Sequence, residues 1–290
     1  MFQIERTVRE YNQNNQVLRQ NCVLTKSGDA LEYLTFPLLE ETGIVKHLFT
    51  TRTGGVSTGE FSAMNFSVDR GDSSKNVLEN YGRIAEAFGC RVEDMAASHQ
   101  THTTNIRRMT ASDKGKGILR PRDYSDVDGM VTDEAGLVLV TFYADCVPLY
   151  FVDPVHRAIG LAHSGWRGTV GRMGERMVQA MEKHFGSRPE DLYAAVGPSI
   201  CRDCYEVSED VAVQFIRMLG EEVAAPGKGP GKYQLDLWLA NKLILEQAGL
   251  PPSHIAVTDI CTCHNSDYLF SHRASGGRRG NVAAFLALKD

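Results

Sequence analysis

ADCVPLYFVDPVHRAIGLAHSGWRG, residues 144–168, carries two apolar runs around an Asp153-Pro154-Val155-His156 turn. LYFVD and RAIGLAH are short, rich in β-formers and bounded by turn residues, so they read as two strands of an antiparallel hairpin. A four-residue loop built on a type I turn with proline at its second position suits that connection. The register that follows sets Val152 opposite Arg157, Tyr150 opposite Ile159, Pro148 opposite Leu161 and Cys146 opposite His163. Facing residues have Cβ atoms about 4.5–5.5 Å apart, close enough for a thiolate and an imidazole to share one ion or one proton. A slip of one residue would send them to opposite faces.

Outward from the hairpin, strand-like and helix-like segments alternate. LVLVTFYAD, DLYAAVG and IAVTDIC are short β-rich runs, and residues 17–24 and 30–37 form an N-terminal hairpin about Ser27-Gly28-Asp29. Apolar residues recur at helical spacing over 76–88, 172–185 and 236–249, and a short helix follows Phe36-Pro37. The expected class is α+β: mixed β-sheets layered with helices in a single domain, 1–290. Within it, residues 1–40 form a hairpin-like extension that adds to a sheet edge. The stretch 226–231, PGKGPG, is the only linker-like composition. Leu237, Trp238, Leu243 and Ile244 read as helix core in preference to a base-stacking platform.

Composition excludes several classes of function. The chain has 290 residues, 42% hydrophobic and 23% charged, with a formal charge of -5, so it lacks the basic excess of a nucleic-acid binder. The N-terminus MFQIERTVREYNQNNQ has no apolar stretch for a signal peptide or membrane anchor, which makes the expected location cytoplasmic, with no membrane partner. Seven cysteines, an odd number, favour free thiols with metal or catalytic use over a disulfide framework.

Cys146 and His163 are a short ligand set for zinc, whose catalytic sites take three protein ligands. Ser98-His99-Gln100-Thr101-His102 offers a third, and in a strand His99 and His102 would point to opposite faces, so one of them reaches a shared site. The spacing does not choose between them. A second cluster, Cys201-Arg202-Asp203-Cys204 with Cys261-Thr262-Cys263-His264, has the makings of a structural zinc or redox site. The single residue between Cys261 and Cys263 is tighter than the usual two to four and counts against it.

From His47 to Leu288 the chain resembles the YfiH/YlmD family, known as laccase-domain or multicopper polyphenol oxidase proteins and as purine nucleoside phosphorylases. The resemblance rests on LFTTRTGGVSTGEF with Asn65, Gly71-Asp72, Gln100-Thr101-His102 and DVDGMVT (126–132). It continues through ADCVPLYFVDP, LAHSGWRGTV, VGPSICRDCYEV, LDLWLANKLILEQAG, Cys261-Thr262 and FSHRASGGR (270–278). It implies a zinc site of His102, Cys146 and His163, with His99 structural or supporting. It also implies phosphorolysis of adenosine, inosine and methylthioadenosine, with adenosine deamination as a side activity. Thr103, Ser164 and His272 depart from the family's usual glycine, alanine and aromatic residue, and substrate preference is what those departures put in question.

Phosphate calls for cationic donors, and the arginine fork suits its geometry. Arg52 and Arg167 are the first candidates, Arg273 and Arg278 the next, with Asn65 in the same motifs. Gly54-Gly55 would let backbone approach a ligand closely. Asp145 would point away from Cys146 and support it. Two other readings stand beside the zinc enzyme. One is a metal-free hydrolase or amidase with Cys146 as nucleophile and His163 as base, for which the resemblance supplies cell-wall precursors as substrates. The other is copper-dependent phenol oxidation, for which nine histidines with one convincing cluster are too few.

Overall fold

The computed structural model describes residues 2–7, 9, 11 and 17–289. Two six-stranded mixed sheets stack face to face. The first contains β1 (Arg19–Leu24), β2 (Ala30–Thr35), β3 (Val45–Thr50), β4 (Met95–Ala97), β7 (Val138–Tyr143) and β15 (Val282–Leu288), in the order β1-β2-β3-β15-β7-β4. The second contains β5 (Ile106–Arg108), β6 (Gly129–Thr132), β8 (Val147–Asp153), β9 (Ala158–Ser164), β10 (Tyr193–Val196) and β14 (Ile255–Val257), in the order β14-β10-β8-β9-β6-β5. The N-terminal hairpin thus extends one edge of the first sheet, as its sequence indicates.

Side-chain alternation sets the layering. Val282, Ala284, Leu286 and Leu288 of β15 face the core between the sheets, whereas Ala283, Phe285 and Ala287 face the opposite way, onto helix α2 (Ser74–Phe88). In β8, Tyr150 and Val152 enter the inter-sheet core, while Val147, Leu149 and Phe151 meet α4 (Met173–Phe185), α5 (Glu209–Leu219) and α6 (Leu237–Gln247). Strands covered on both faces lose their polar positions, which is why β8, β9 and β15 read as continuous apolar runs. The remaining helices are short: α1 (Pro37–Glu41), α3 (Trp166–Val170) and α7 (His272–Ser275). Leu237, Trp238 and Ile244 are buried and Leu243 partly so, all in the helix-side core.

The central hairpin forms, but in a register two residues from the sequence expectation. Asp153 pairs with Ala158, Val152 with Ile159 and Pro148 with His163, so Cys146 lies beyond the paired strand and does not oppose His163. The four-residue loop is Pro154–Arg157, closed by Arg157 in the left-handed region (φ 49°). Asp153, expected within the turn, ends the strand instead: its buried carboxylate accepts the backbone N–H of Val155 (2.9 Å) and His156 (3.0 Å). An even shift preserves the face, so Cys146 and His163 still approach the same end of the sheet.

The 226–231 stretch is not a linker. It turns β12 (Ala224–Pro226) into β13 (Lys232–Leu235), which with β11 (Glu206–Ser208) forms a small three-stranded sheet. A Cβ at Gly227 would fall 2.6 Å from the Lys232 carbonyl carbon. Gly54 and Gly55 likewise admit this chain's own backbone: a Cβ at Gly54 would meet Leu31 at 2.7 Å, and one at Gly55 the Ala63 carbonyl oxygen at 2.2 Å.

His47 in β3 is buried, with Nε2 accepting the Phe36 N–H (2.7 Å), and burial together with Lys289 pushes its pKa down to about 3. Because the unfolded chain binds this proton near pH 6.5 and the folded chain does not, its stability contribution is intact above pH 6.5 and falls as pH drops toward 3. The expected slope is about 1.4 kcal/mol per pH unit below pH 6. Urea titrations of the wild type and His47→Gln, which keeps an acceptor for Phe36, should show a shallower acid loss in the variant. Parallel curves would refute a neutral buried His47.

Candidate metal-binding active site

Three side chains meet at the end of the inter-sheet core. His163 comes from β9, Cys146 from the link between β7 and β8, and His102 from the loop joining β4 and β5. Their ligand atoms all lie within 4.8 Å of one another. Cys146 Sγ is 4.0 Å from His102 Nε2, and the two imidazole rings are 4.9 Å apart, edge to face.

Backbone strain produces this convergence. His102 (φ 64°) and Asp145 (φ 91°) both occupy the left-handed region, rare for residues other than glycine. Asp145 is held there by three bonds. Its carboxylate accepts Thr262 Oγ1–H (2.6 Å) and Arg273 N–H (2.7 Å), and its carbonyl accepts Ile200 N–H (3.0 Å). The turn delivers Cys146 to the cleft, so Asp145 supports its neighbour, as the sequence indicates. Gly165 leaves the space these groups need: a Cβ there would lie 3.1 Å from both Cys146 Sγ and His102 Cδ2.

Asp128, fully buried at the start of β6, secures the histidines. Its carboxylate accepts N–H groups from Thr101 (3.1 Å), His102 (3.1 Å) and Thr103 (2.9 Å), and the Thr103 hydroxyl (2.9 Å). It also accepts His163 Nδ1–H (2.8 Å), which leaves His163 Nε2 for the Cys146 side of the ring. The Thr103 hydroxyl thus adds a further bond to this hub.

Electrostatics couple the trio. Burial pushes the Cys146 thiol up, but His163 and His102 more than offset it and bring it down to about 6. Burial pushes His163 down, but the Cys146 thiolate and Asp128 carry it up to about 9. A thiolate flanked by two imidazoles is a donor set that suits zinc, whose sites combine Cys sulfur and His nitrogen.

The trio lies on one wall of a cleft of about 460 Å³, lined also by Phe66, Phe142, Arg70, Arg122 and Arg279. His99 lines it too. The 98–104 loop is not a strand, so His99 and His102 are not forced to opposite faces, yet His99 stands outside the trio, its Nδ1 accepting Asp126 N–H (3.1 Å).

The arginines singled out in the sequence lie elsewhere. Arg52 donates to the Ser62 and Ser266 carbonyls and covers the Phe270 ring; with Arg278, which pairs with Glu60, it lines a separate cavity of about 180 Å³. Arg167 covers the Trp166 ring, and Arg273 donates to the Cys204 and Glu206 carbonyls. Asn65 is buried and fully bonded, giving to Ser67 and Asp72 and accepting from Ser67 and Asn281. It braces the strand next to the cleft.

Arg279 is the group sequence reasoning missed. It is largely buried, donates to Gly280 O and Asn281 Oδ1, and its Nε has no hydrogen-bond partner among the described residues. Burial and the nearby Arg70 lower it to about 10, still cationic at neutral pH. The run Gly276-Gly277-Arg278-Arg279-Gly280 carries two adjacent arginines with nothing local to separate them.

Together these features define a two-sheet protein, helix-covered on its outer faces, with a His/Cys/His metal-type centre in a polar cleft. The chain belongs to the family described as multi-copper polyphenol oxidoreductase laccase, whose model matches residues 46–289. It is 37% identical over 248 residues to the purine nucleoside phosphorylase YlmD of Bacillus subtilis, covering 83% of this chain and 88% of that one. A purine nucleoside phosphorylase of Deinococcus radiodurans is 40% identical over 254 residues, covering 87% and 93%. The crystal structure of YlmD from Geobacillus stearothermophilus superposes with a TM-score of 0.85 at 34% identity, covering 95% of this chain and all of that one.

Removing the charge of the hub should loosen the centre without dismantling the cleft. In Asp128→Asn, zinc affinity measured by chelator competition is expected to fall about 10–100-fold, the usual effect of losing an outer partner of a ligating histidine. Unchanged affinity would mean that Asp128 does not orient His102 and His163.

Proposed function

We propose that this chain is a zinc-dependent purine nucleoside phosphorylase acting on adenosine, inosine and methylthioadenosine, with adenosine deamination as a side activity. In this reading His102, Cys146 and His163 hold the zinc. The observation that carries it is the joining of the donor trio and a cationic, aromatic-lined wall in one cleft. A volume of about 460 Å³ lies within the range of small-molecule sites. Zinc, when bound, supplies Lewis acidity at a position that three protein ligands leave open.

The chain's own groups account for the rest. Phe142, partly exposed on the cleft, offers apolar surface to a purine ring. Arg279 lines the cleft and its guanidinium suits a phosphate oxygen, and Arg70 and Arg122 add positive charge around it. In phosphorolysis a phosphate oxygen bonds to C1′ while the bond from C1′ to the purine nitrogen breaks and its electron pair leaves with the base. A donor must stabilise that base. His99 lines the cleft, and with Nδ1 accepting from Asp126 its neutral ring carries the proton on Nε2. The relatives' names support a purine substrate. The donor count favours one ion over a multicopper centre, because only two histidines join the trio among the described residues. The seven cysteines are free thiols, and no described helix is long and apolar enough to cross a membrane.

The row Cys146, His163, Asp128 also favours a second reading, a hydrolase or amidase with a thiolate nucleophile. Release of hypoxanthine from inosine, assayed with and without phosphate alongside metal content, separates the two. The phosphorylase requires release that depends on phosphate and disappears with the metal in His102→Ala and His163→Ala. Activity abolished by thiol alkylation but untouched by chelators would establish the hydrolase instead.

Arg279→Met should raise the KM for phosphate about 10–100-fold with metal content unchanged, the equivalent of ~1.5–3 kcal/mol for a charge-assisted hydrogen bond. An unaltered phosphate KM would remove Arg279 from phosphate binding.

A further inference from the structure

Apart from the cleft, one other group of metal-type donors converges among the described residues: Cys201, Cys204, Cys261 and His264, with ligand atoms all within 4.8 Å of one another. We propose that these four residues form a second, structural zinc site with three thiolates and one imidazole. The proposal does not depend on the activity assigned above.

The sequence objection to this cluster was the single residue between Cys261 and Cys263. In the folded chain the donors that converge are Cys261 and His264, while Cys263 contacts Cys204 without joining the group, so both halves have two intervening residues: Cys-X2-Cys and Cys-X2-His. That is the spacing of closed structural zinc sites. Each half lies in a tight turn that brings positions i and i+3 together. In the first, Cys204 N–H donates to the Cys201 carbonyl (3.1 Å); in the second, Asn265 N–H donates to the Cys261 carbonyl (3.1 Å). The halves meet where Cys201 N–H points at Cys261 Sγ (3.3 Å), the kind of outer bond that steadies a thiolate ligand. A tetrahedral ion with Zn–S near 2.3 Å separates its sulfurs by about 3.8 Å, so modest side-chain adjustment closes the set. Four donors leave no open position, and a sulfur-rich set selects zinc over magnesium or calcium. The cysteines are free thiols.

The location assigns the ion a task. Ile200 and Thr262, each next to a ligand, supply two of the three bonds that hold Asp145 in the strained turn delivering Cys146. The N-terminal segment docks on the same turn: Arg6 bridges Ile260, Glu5 N–H donates to Asn265 Oδ1 (2.8 Å), and His264 Nδ1 lies 3.5 Å from Glu5 Oε1. An ion here would tie the loop at 199–205, the turn at 260–265 and the N-terminal segment together behind the cleft.

The test is a cobalt(II) titration of metal-free, reduced full-length protein, followed by absorbance. Two equivalents are expected for the wild type. The His102→Ala/His163→Ala variant should keep one, with strong thiolate-to-cobalt charge-transfer absorption, and Cys204→Ser and Cys261→Ser should lose that one. His264→Ala, a surface change that should leave folding intact, is expected to weaken the second equivalent at least tenfold, while Cys263→Ser keeps both. Saturation at a single equivalent that the histidine double variant abolishes would overturn the proposal. So would peptide mapping of the protein as purified that finds Cys201, Cys204 or Cys261 in a disulfide. Loss of the second ion in Cys263→Ser, with His264→Ala unaffected, would overturn the assigned ligand set.

Discussion

One buried carboxylate carries most of the geometry of this protein. Asp128 takes three successive backbone N–H groups from 101–103 and the ring N–H of His163, so a loop and a strand with no pairing between them are held on one charge. An ionised carboxylate without water survives only if its lone pairs are filled by donors, and these five bonds, counting the Thr103 hydroxyl, fill them. The arrangement is reciprocal. The donors hold Asp128 below its ordinary range against the opposing effect of burial, and the charge in turn keeps His102 in an unfavourable backbone conformation.

The second constraint lies across the cleft, at Asp145. Its left-handed backbone is costly, and the cost is offset by bonds from three separate stretches of chain, at 200, 262 and 273. Strained residues thus sit at or beside two of the three donors, while the third, His163, rises from a regular strand. Such a centre is rigid on the strand side and depends on distant segments on the other. The 201–264 cysteine cluster borders two of those segments, which connects this second group of thiols to the placement of Cys146.

Much of the layering was legible because burial on both faces erases polar alternation, and β8, β9 and β15 advertise it as apolar runs. The hairpin itself was legible too, but not its register: Asp153-Pro154-Val155-His156 and Pro154–Arg157 are both plausible four-residue loops. Choosing between them depended on Asp153 finding N–H partners beyond the strand end and on Arg157 accepting a positive φ. Which arginines line the cleft was not legible for a related reason. Arg278 and Arg279 are neighbours with the same chemistry, and Arg278 turns to Glu60, 218 positions away, while Arg279 lines the cleft against residues from several distant segments.

By itself the sequence determined the class of fold, the helix and strand runs and the residue types of the centre, since these follow from local pattern and from the few side chains able to bind a soft cation. Only the tertiary structure decided which members meet. It put Asp128 behind both histidines, brought His264 but not Cys263 into the second group of donors, and lined the cleft with Arg279 and not Arg52. Those outcomes depend on hydrogen bonds and backbone strain shared between segments remote in the chain, and a periodicity or a spacing contains no term for contacts of that range.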